Sequence, residues 1–385
     1  MLLAKKKLLS FYETEVAGEG GKALTIQANI AYNNHVIKGI LVLAGEETHT
    51  QFARVATSFI KTLLSKALKK KGYLATLRKT RTLGSTAAVI GNMLYLDPGP
   101  SGIIKLGRKN IEVPETTRLT KKPTEITLIT SGIKGKIFFA SKKSRKNKID
   151  SMHVATMKGK RKNNEDTAAS LSLKLYNGTE GARRYIILAV ADGAGGLKIG
   201  EKASLAAING FIQRIIERIL LQTYMKQTDM EEAVKHANIE VLNVVKTVGK
   251  QAATTLTAGL IEGNRLLIAH VGDSRAYLID RGIKKVFRLT KDHKISPQSH
   301  IITRALGIRK NLEVDLEEQV ISPRSTVFIC SDGVTDVIND NEIGSIVVVD
   351  PLPATFSQKI FSMVKSRGAP DNATISAFSR NIEIG

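Results

Sequence analysis

The chain has 385 residues, long enough for two domains, and its composition is that of an ordinary soluble globular protein, with 42% hydrophobic and 24% charged residues and a mean hydropathy of −0.06. No apolar run approaches the ~20 residues that span a bilayer, which excludes a transmembrane helix. The net charge of +23 is lopsided: residues 1–150 carry 27 Lys+Arg against 10 Asp+Glu, whereas residues 151–385 carry 31 against 25. Such asymmetry suits an acidic partner for the first part, whether nucleic acid, membrane surface or protein, or else a lysine-rich solvated face. Aromatics make up only 5% and Trp is absent, so no base-stacking platform is evident. The single cysteine, Cys330, rules out an intramolecular disulfide and fits a reducing compartment. The N-terminal lysine cluster lacks the apolar segment of a secretory signal, so a cytoplasmic protein is expected.

In chain order, residues 36–46 (VIKGILVLAGE) read as a strand and turn, and residues 52–70 as an amphipathic helix. Residues 87–97 read as a hairpin turning at Gly91-Asn92, and residues 125–132 as a buried strand. Residues 141–150 (SKKSRKNKID) are basic and without apolar periodicity, which reads as a linker. Beyond it, YIILAVADGAGG (185–196) is an apolar strand stopped by Asp192 and a glycine-rich turn. A helix from about Glu201 to Leu221 follows, then a second from Thr228, whose spacing to Glu231 suggests a capping box. Strands with short turns complete the chain, the pattern of an α+β sandwich.

The two parts resemble each other. HVIKGILVLAGE matches RRYIILAVADG, STAAVIGNMLYLDPGPSGIIKL matches TTLTAGLIEGNRLLIAHVGDSRAYLI, and ITLITSGI matches VFICSDGV. The acids are absent from the first part: Gly45 stands against Asp192, Pro100 near Asp273 and Ser131 against Asp332.

Five acidic motifs stand out: NNED (163–166), ADG (191–193), VGDSR (271–275), SDGVTD (331–336) and APDN (369–372). Carboxylates brought to one edge of a sandwich need protons or cations to offset their repulsion. With no His or Cys clustered among them, the ligands are all oxygen, which favours magnesium, manganese or calcium over zinc. Two such ions with a nearby arginine suit phosphoryl hydrolysis.

Residues 153–381 resemble the metal-dependent serine/threonine phosphatases of the protein phosphatase 2C (PPM) type, bacterial branch. RKNNED, ADGAGG, TTLTAGLI, AHVGDSRAYL, LTKDH, ITRALG, CSDGVTD and DNAT carry the resemblance in the family's order. It implies a β-sandwich flanked by helical pairs in residues 153–385; the basic stretch then gives a linker at 141–152, and the internal repeat makes residues 1–140 a shortened, degenerate copy of the same scaffold. The resemblance further implies that Asp192 bridges two manganese or magnesium ions, that Asp332 and Asp371 complete the first, and that Asp166 with the Gly193 carbonyl holds the second. Glu165 would act through a water on a metal, and Arg161 would grip the phosphate. Asp273 matches a ligand of the third ion of bacterial members, shared with Asp332, with Asp336 as a neighbouring acid. The implied substrates are phosphorylated proteins, the products of a serine/threonine kinase. The competing readings are a pseudophosphatase or basic adaptor, and a hydrolase of a non-protein phosphoester.

The chain departs from the family pattern in three places. Only ISPQSHI separates DHK from ITRALG, a short flap; Ala194 and Leu197 stand where relatives carry His; and Ala253 replaces the Gly of G-T-T.

Overall fold

The structure is a computed structural model. It describes residues 13–18, 22–32, 35–45, 55–59, 85–90, 93–97, 103–106, 111–113, 117–119, 125–130 and 133–138 of the first part. Of the second it describes residues 148–177, 181–194, 199–222, 224–296, 299 and 301–383. Pro100, Ser131, Leu197, the linker residues 141–147 and all but 55–59 of the expected helix 52–70 lie outside the described residues.

The first part contributes β1 (Glu13–Gly18), β2 (Lys22–Tyr32), β3 (His35–Gly45), β4 (Ser85–Ile90), β5 (Met93–Asp97), β6 (Ile103–Leu106), β7 (Ile111–Val113), β8 (Thr117–Leu119), β9 (Glu125–Thr130) and β10 (Ile133–Phe138). The second begins with β11 (Lys148–Met157), β12 (Thr167–Asn177), β13 (Gly181–Ala191), β14 (Gly193–Ala194), α1 (Ile199–Leu221) and α2 (Gln227–Val248). It continues with β15 (Ala253–Thr254), β16 (Leu256–Glu262), β17 (Arg265–Val271), β18 (Arg275–Asp280), β19 (Lys285–Arg288), β20 (Asp315–Val320) and β21 (Ser325–Cys330). Helices α3 (Asp332–Thr335), α4 (Asp340–Val349) and α5 (Pro353–Ser366) precede the last strand, β22 (Ala373–Glu383).

Strand β13 shows why the second part is a sandwich. Its apolar run is continuous because both faces are buried. Tyr185, Ile187, Ala189 and Ala191 face α1 and α2, meeting Ala207, Phe211 and Ile215. Ile186, Leu188 and Val190 face the other sheet, meeting Leu278, Val327, Ile329 and Phe378. The far side of that sheet, with Tyr277 and Phe328, packs on Val347, Phe356 and Ile360 of α4 and α5. The layers are helices, sheet, sheet, helices, the expected sandwich between helical pairs.

All described strand pairs are antiparallel. One five-stranded sheet runs β11-β22-β21-β18-β19, another β1-β10-β9-β6-β7, and a ten-stranded sheet runs β20-β17-β16-β13-β12-β2-β3-β4-β5-β8. The two parts of the chain therefore share a sheet. Strand β2 pairs with β12 from Lys22↔Asn177 to Tyr32↔Thr167, and Leu24, Ile26, Ala28, Ile30, Leu41 and Phe59 enter the core beneath α1 and α2. Strands β4 and β5 pair antiparallel with Ile90 opposite Met93, as the expected hairpin requires, and its expected turn residues Gly91 and Asn92 lie outside the described residues.

Two expectations need correction. The proposed linker 141–152 ends inside a strand: Lys148 and Ile149 already pair with Glu383 and Ile382, and Asp150 binds Arg184 and the Asn381 amide. A basic, aperiodic stretch hid this because the strand carries a register shift between Ile149 and Ser151. The cap of α2 is not the Thr228–Glu231 pair. The helix starts at Gln227, so Asp229 is the residue that accepts from the Lys226 amide at 2.8 Å, and it is held by Arg218 at 2.7 Å. No helix among the described residues is long and apolar enough to cross a membrane.

Candidate active site

Asp192 follows β13 directly, and its backbone is fixed from the opposite side of the turn. The Asp192 amide donates to Thr255 Oγ1, the Thr255 amide and Thr254 Oγ1 both donate to the Asp192 carbonyl, and each distance is 2.9 Å. Gly193 has no room for a side chain: a Cβ would meet the Gly200 carbonyl oxygen at 2.1 Å and that of Glu165 at 2.8 Å. The glycine thus lets the 165–166 segment, the strand end and the start of α1 close on one another.

Asp166 is fully buried, and Ser331 Oγ donates to its Oδ2 at 2.8 Å. Asp332 opens the short helix α3 in the same loop as Ser331. Asp371 arrives before β22, joined to Arg161 Nη2 at 2.5 Å, with the arginine side chain 62% exposed. Asn372 ties this loop to the first acidic motif: its Oδ1 accepts from the Glu165 amide at 2.9 Å, and its Nδ2 donates to the Lys158 and Asn163 carbonyls. Gly333 lies so close to Asn372 that a Cβ would sit 2.0 Å from its carbonyl oxygen.

The electrostatics register the convergence. Burial pushes the Asp192 carboxyl well above its ordinary range, and Asp166, Asp332, Asp273 and Asp371 push it further in turn. Burial raises Asp166 to about 6 against the hydrogen bond from Ser331, and it raises Asp332 to about 7 with help from Asp273, Asp336 and Asp371. Burial also raises Glu165, whose nearest opposing influence is Arg161. At the far end, buried Asp273 is paired with Lys294 Nζ at 3.0 Å, and Asp336 is exposed.

Among the described residues, no three His, Cys, Asp or Glu side chains already form a metal cage. The donor set nevertheless fits divalent cations. Asp166 Oδ1 and Asp332 Oδ1 are buried without a hydrogen-bond partner, and the surrounding carboxylates repel each other. Uncompensated buried acids of this kind are costly, and hard cations that take oxygen ligands relieve them.

Sequence motifs located every one of these acids, but not the residues that aim them. Ser331, Asn372 and Lys294 stand inside the quoted motifs or beside them, yet only the fold reveals their contacts. His270 and His293, read as structural, are buried. His270 lies 2.8 Å from Thr257 Oγ1 and 3.0 Å from the Lys291 carbonyl, and burial lowers its pKa to about 4. Ala253, in place of glycine, pairs with Ala194 in the small β14–β15 ladder. The residues flanking the short flap pair with each other, Lys294 bridged to Ile302 and the Thr303 amide donating to the His293 carbonyl at 2.7 Å.

A family model described as protein phosphatase 2C matches residues 164–373. The serine/threonine phosphatase Stp of Listeria innocua is 27% identical over 216 residues, covering 51% of this chain and 85% of the relative. Protein phosphatase PhpP of Streptococcus pneumoniae is 28% identical over 228 residues, covering 52% and 87%. Among solved structures, the Mycobacterium tuberculosis serine/threonine phosphatase PstP/Ppp is 26% identical with a TM-score of 0.52, over 60% of this chain and 99% of that one. The catalytic domain of PstP in complex with two manganese ions is 28% identical with a TM-score of 0.50, over 60% and 98%. The matched stretch begins just before Asp166 and ends just after Asp371, so the family likeness and the acid cluster fall on the same part of the molecule, and the chain belongs to the protein phosphatase 2C family.

Proposed function

We propose that this protein hydrolyses phosphoserine and phosphothreonine in phosphorylated proteins, the products of a serine/threonine kinase, with two manganese or magnesium ions at the acid cluster. The observation that carries the reading is the convergence of Asp166, Asp192, Asp332 and Asp371, two of them with an orphaned buried oxygen. The names of the Listeria and Streptococcus relatives and the two manganese ions of PstP support it. Asp192 would bridge the ions, with Asp332 and Asp371 on one side and Asp166 with the Gly193 carbonyl on the other. When bound, such ions neutralise phosphoryl oxygens and make a water acidic enough to attack phosphorus.

The chain's own residues do the positioning. Glu165, its backbone fixed by Asn372 and by Ser204 Oγ donating to its carbonyl at 2.6 Å, orients a water through its carboxylate. Arg161 is anchored to Asp371 alone among the acids by hydrogen bond and is otherwise open to solvent. Its planar donors would suit two phosphoryl oxygens of a substrate, with Asp371 among the residues that would hold a cation beside it.

The intact acids argue against a pseudophosphatase. A phosphothreonine peptide assayed beside a small phosphoester separates protein from non-protein substrates. The full chain is expected to release phosphate from the peptide with manganese or magnesium, to stop after EDTA and dialysis, and to recover when manganese is restored. Turnover that persists in excess EDTA overturns the metal mechanism. Arg161→Ala is expected to raise KM about 10–100-fold, the scale of a lost charge-assisted hydrogen-bond pair, with kcat changed only a few-fold. A fall of kcat at constant KM would assign Arg161 a different role.

Residues 1–140 we read as a degenerate copy of the phosphatase scaffold. The support is the strand order outward from the shared seam: β2-β3-β4-β5-β8 on one side, β12-β13-β16-β17-β20 on the other. The separate sheets correspond likewise, β1-β10-β9-β6-β7 with β11-β22-β21-β18-β19. Gly45 ends β3 where Asp192 follows β13, so this half has no bridging acid and is expected to hold no catalytic metal. Docking of this half to an acidic surface rests on its charge alone.

A further inference from the structure

Two cations reach the acid cluster among the described residues. Arg161 approaches Asp371 from the exposed side; Lys294 approaches Asp273 from the buried side, 3.0 Å away, with both side chains of that pair 6% exposed. The second pair is built in from several directions. The His293 amide donates to the Gly272 carbonyl at 2.8 Å, and the Gly272 amide donates to His293 Nδ1 at 3.1 Å, which locks the residue before Lys294 to the residue before Asp273. On its outer side His293 Nε2 meets Asp315 at 3.0 Å, and Arg304 holds the other Asp315 oxygen at 2.7 Å. The bridge from Lys294 to Ile302 then fixes the lysine backbone. Gly272, at φ +114°, leaves no space for a side chain against Thr255, so the turn carrying Asp273 is equally constrained.

We propose that the Lys294 ammonium is a resident counter-ion for the Asp273 end of the cluster, taking the place a third divalent cation would hold beside Asp273, Asp332 and Asp336. The resemblance to bacterial phosphatases implies a third ion at Asp273, and the residues present do not fit it. A divalent ion on the Asp273 carboxylate would share it with an ammonium group already in contact, in a pocket where water screens little of their repulsion. Lysine suits the role of counter-ion because it is a compact point charge on a flexible stem, and a buried carboxylate needs such a partner. The cluster then takes divalent ions only at the two positions assigned to Asp166, Asp192, Asp332 and Asp371. This inference rests on the two-ion reading above.

The test counts manganese retained by the folded full chain after equilibrium dialysis, across free concentrations up to the millimolar range, with atomic emission as the readout. The intact chain is expected to retain two equivalents, Lys294→Arg two and Lys294→Ala three; Asp273→Asn in the intact chain leaves the count unchanged. Circular dichroism establishes that each variant is folded, and Lys294→Met, which keeps the bulk of the stem, replaces Lys294→Ala if the latter does not fold. A third ion on the intact chain, no gain on removing the ammonium, or loss of an ion in Asp273→Asn overturns the inference. Two ions on the intact chain with no gain in Lys294→Ala defeat the inference alone, whereas fewer than two on the intact chain with one gained in Lys294→Ala defeat the two-ion reading alone. Each can therefore fail while the other stands.

Discussion

Asp192→Asn is expected to abolish measurable phosphopeptide turnover and to remove both manganese equivalents rather than one. The expectation follows from position. Asp166, Asp332, Asp273 and Asp371 all press on the Asp192 carboxyl, which makes it the common neighbour of the cluster. Three backbone contacts with Thr254 and Thr255 hold the residue independently of its side chain, so asparagine leaves the turn in place. What asparagine lacks is the charge that would offset two cations. The loss in metal affinity should exceed the roughly 10–100-fold that removal of an outer partner costs. The metal-free protein should respond in the opposite sense. Burial and four acids raise the Asp192 pKa, so ionising it in the folded state is unfavourable, and this penalty grows as pH rises above the carboxyl's unfolded-state value. Deleting the charge should leave the melting temperature of the metal-free variant at or above that of the parent. The rise in melting temperature that manganese gives the parent by mass action should vanish. Calorimetry showing two undiminished manganese sites in Asp192→Asn would contradict the bridging assignment.

The acids were legible because each motif couples a carboxylate to the end of an apolar strand, and strand ends of one sandwich meet at one edge. Asp192 after β13 and Asp332 after β21 are of this kind. The contacts that orient them were not legible, since they join residues far apart in the chain. Ser331 meets Asp166 across 165 positions, and Asn372 meets the Glu165 amide across 207. Lys294 sits in a polar stretch without periodicity, where a lysine reads as solvated. Its burial depends on His293 seizing Gly272. The cap of α2 lies two residues before the expected pair: Asp229 is the acid in the helix's first turn, and tertiary contact with Arg218 holds it there. Similarity between the two parts was visible, but repetition alone does not say which edges join.

That junction leads to the second large effect. A chain beginning at residue 148 should self-associate, eluting as dimers or larger species in light scattering at concentrations where the full chain stays at a lower mass. Without β2, the β12 edge presents unpaired backbone groups from Thr167 to Asn177, a template for pairing with another copy. The side chains compound this. Leu171, Leu173 and Leu175 lie opposite Ala28, Ile26 and Leu24 on one face of the sheet, and all six are buried in the core that holds α1 and α2. Period-2 alternation places them together, so losing one strand uncovers the flank of the catalytic half's own core. A point substitution should show the same dependence without removing the strand. Ile26→Ala, at a fully buried position, is expected to cost about 2–5 kcal/mol of unfolding free energy, and to lower stability of the phosphatase-like half along with the first. Two separated unfolding transitions, with only the earlier one shifted by Ile26→Ala, would mean that β2 and β12 touch without sharing a cooperative core. A truncated chain that remains monomeric and melts like the parent would mean that the first half merely adjoins the second. The shared eleven-residue ladder and the mixed core under α1 and α2 favour one cooperative unit, in which a half without the bridging acid stabilises the half that carries it.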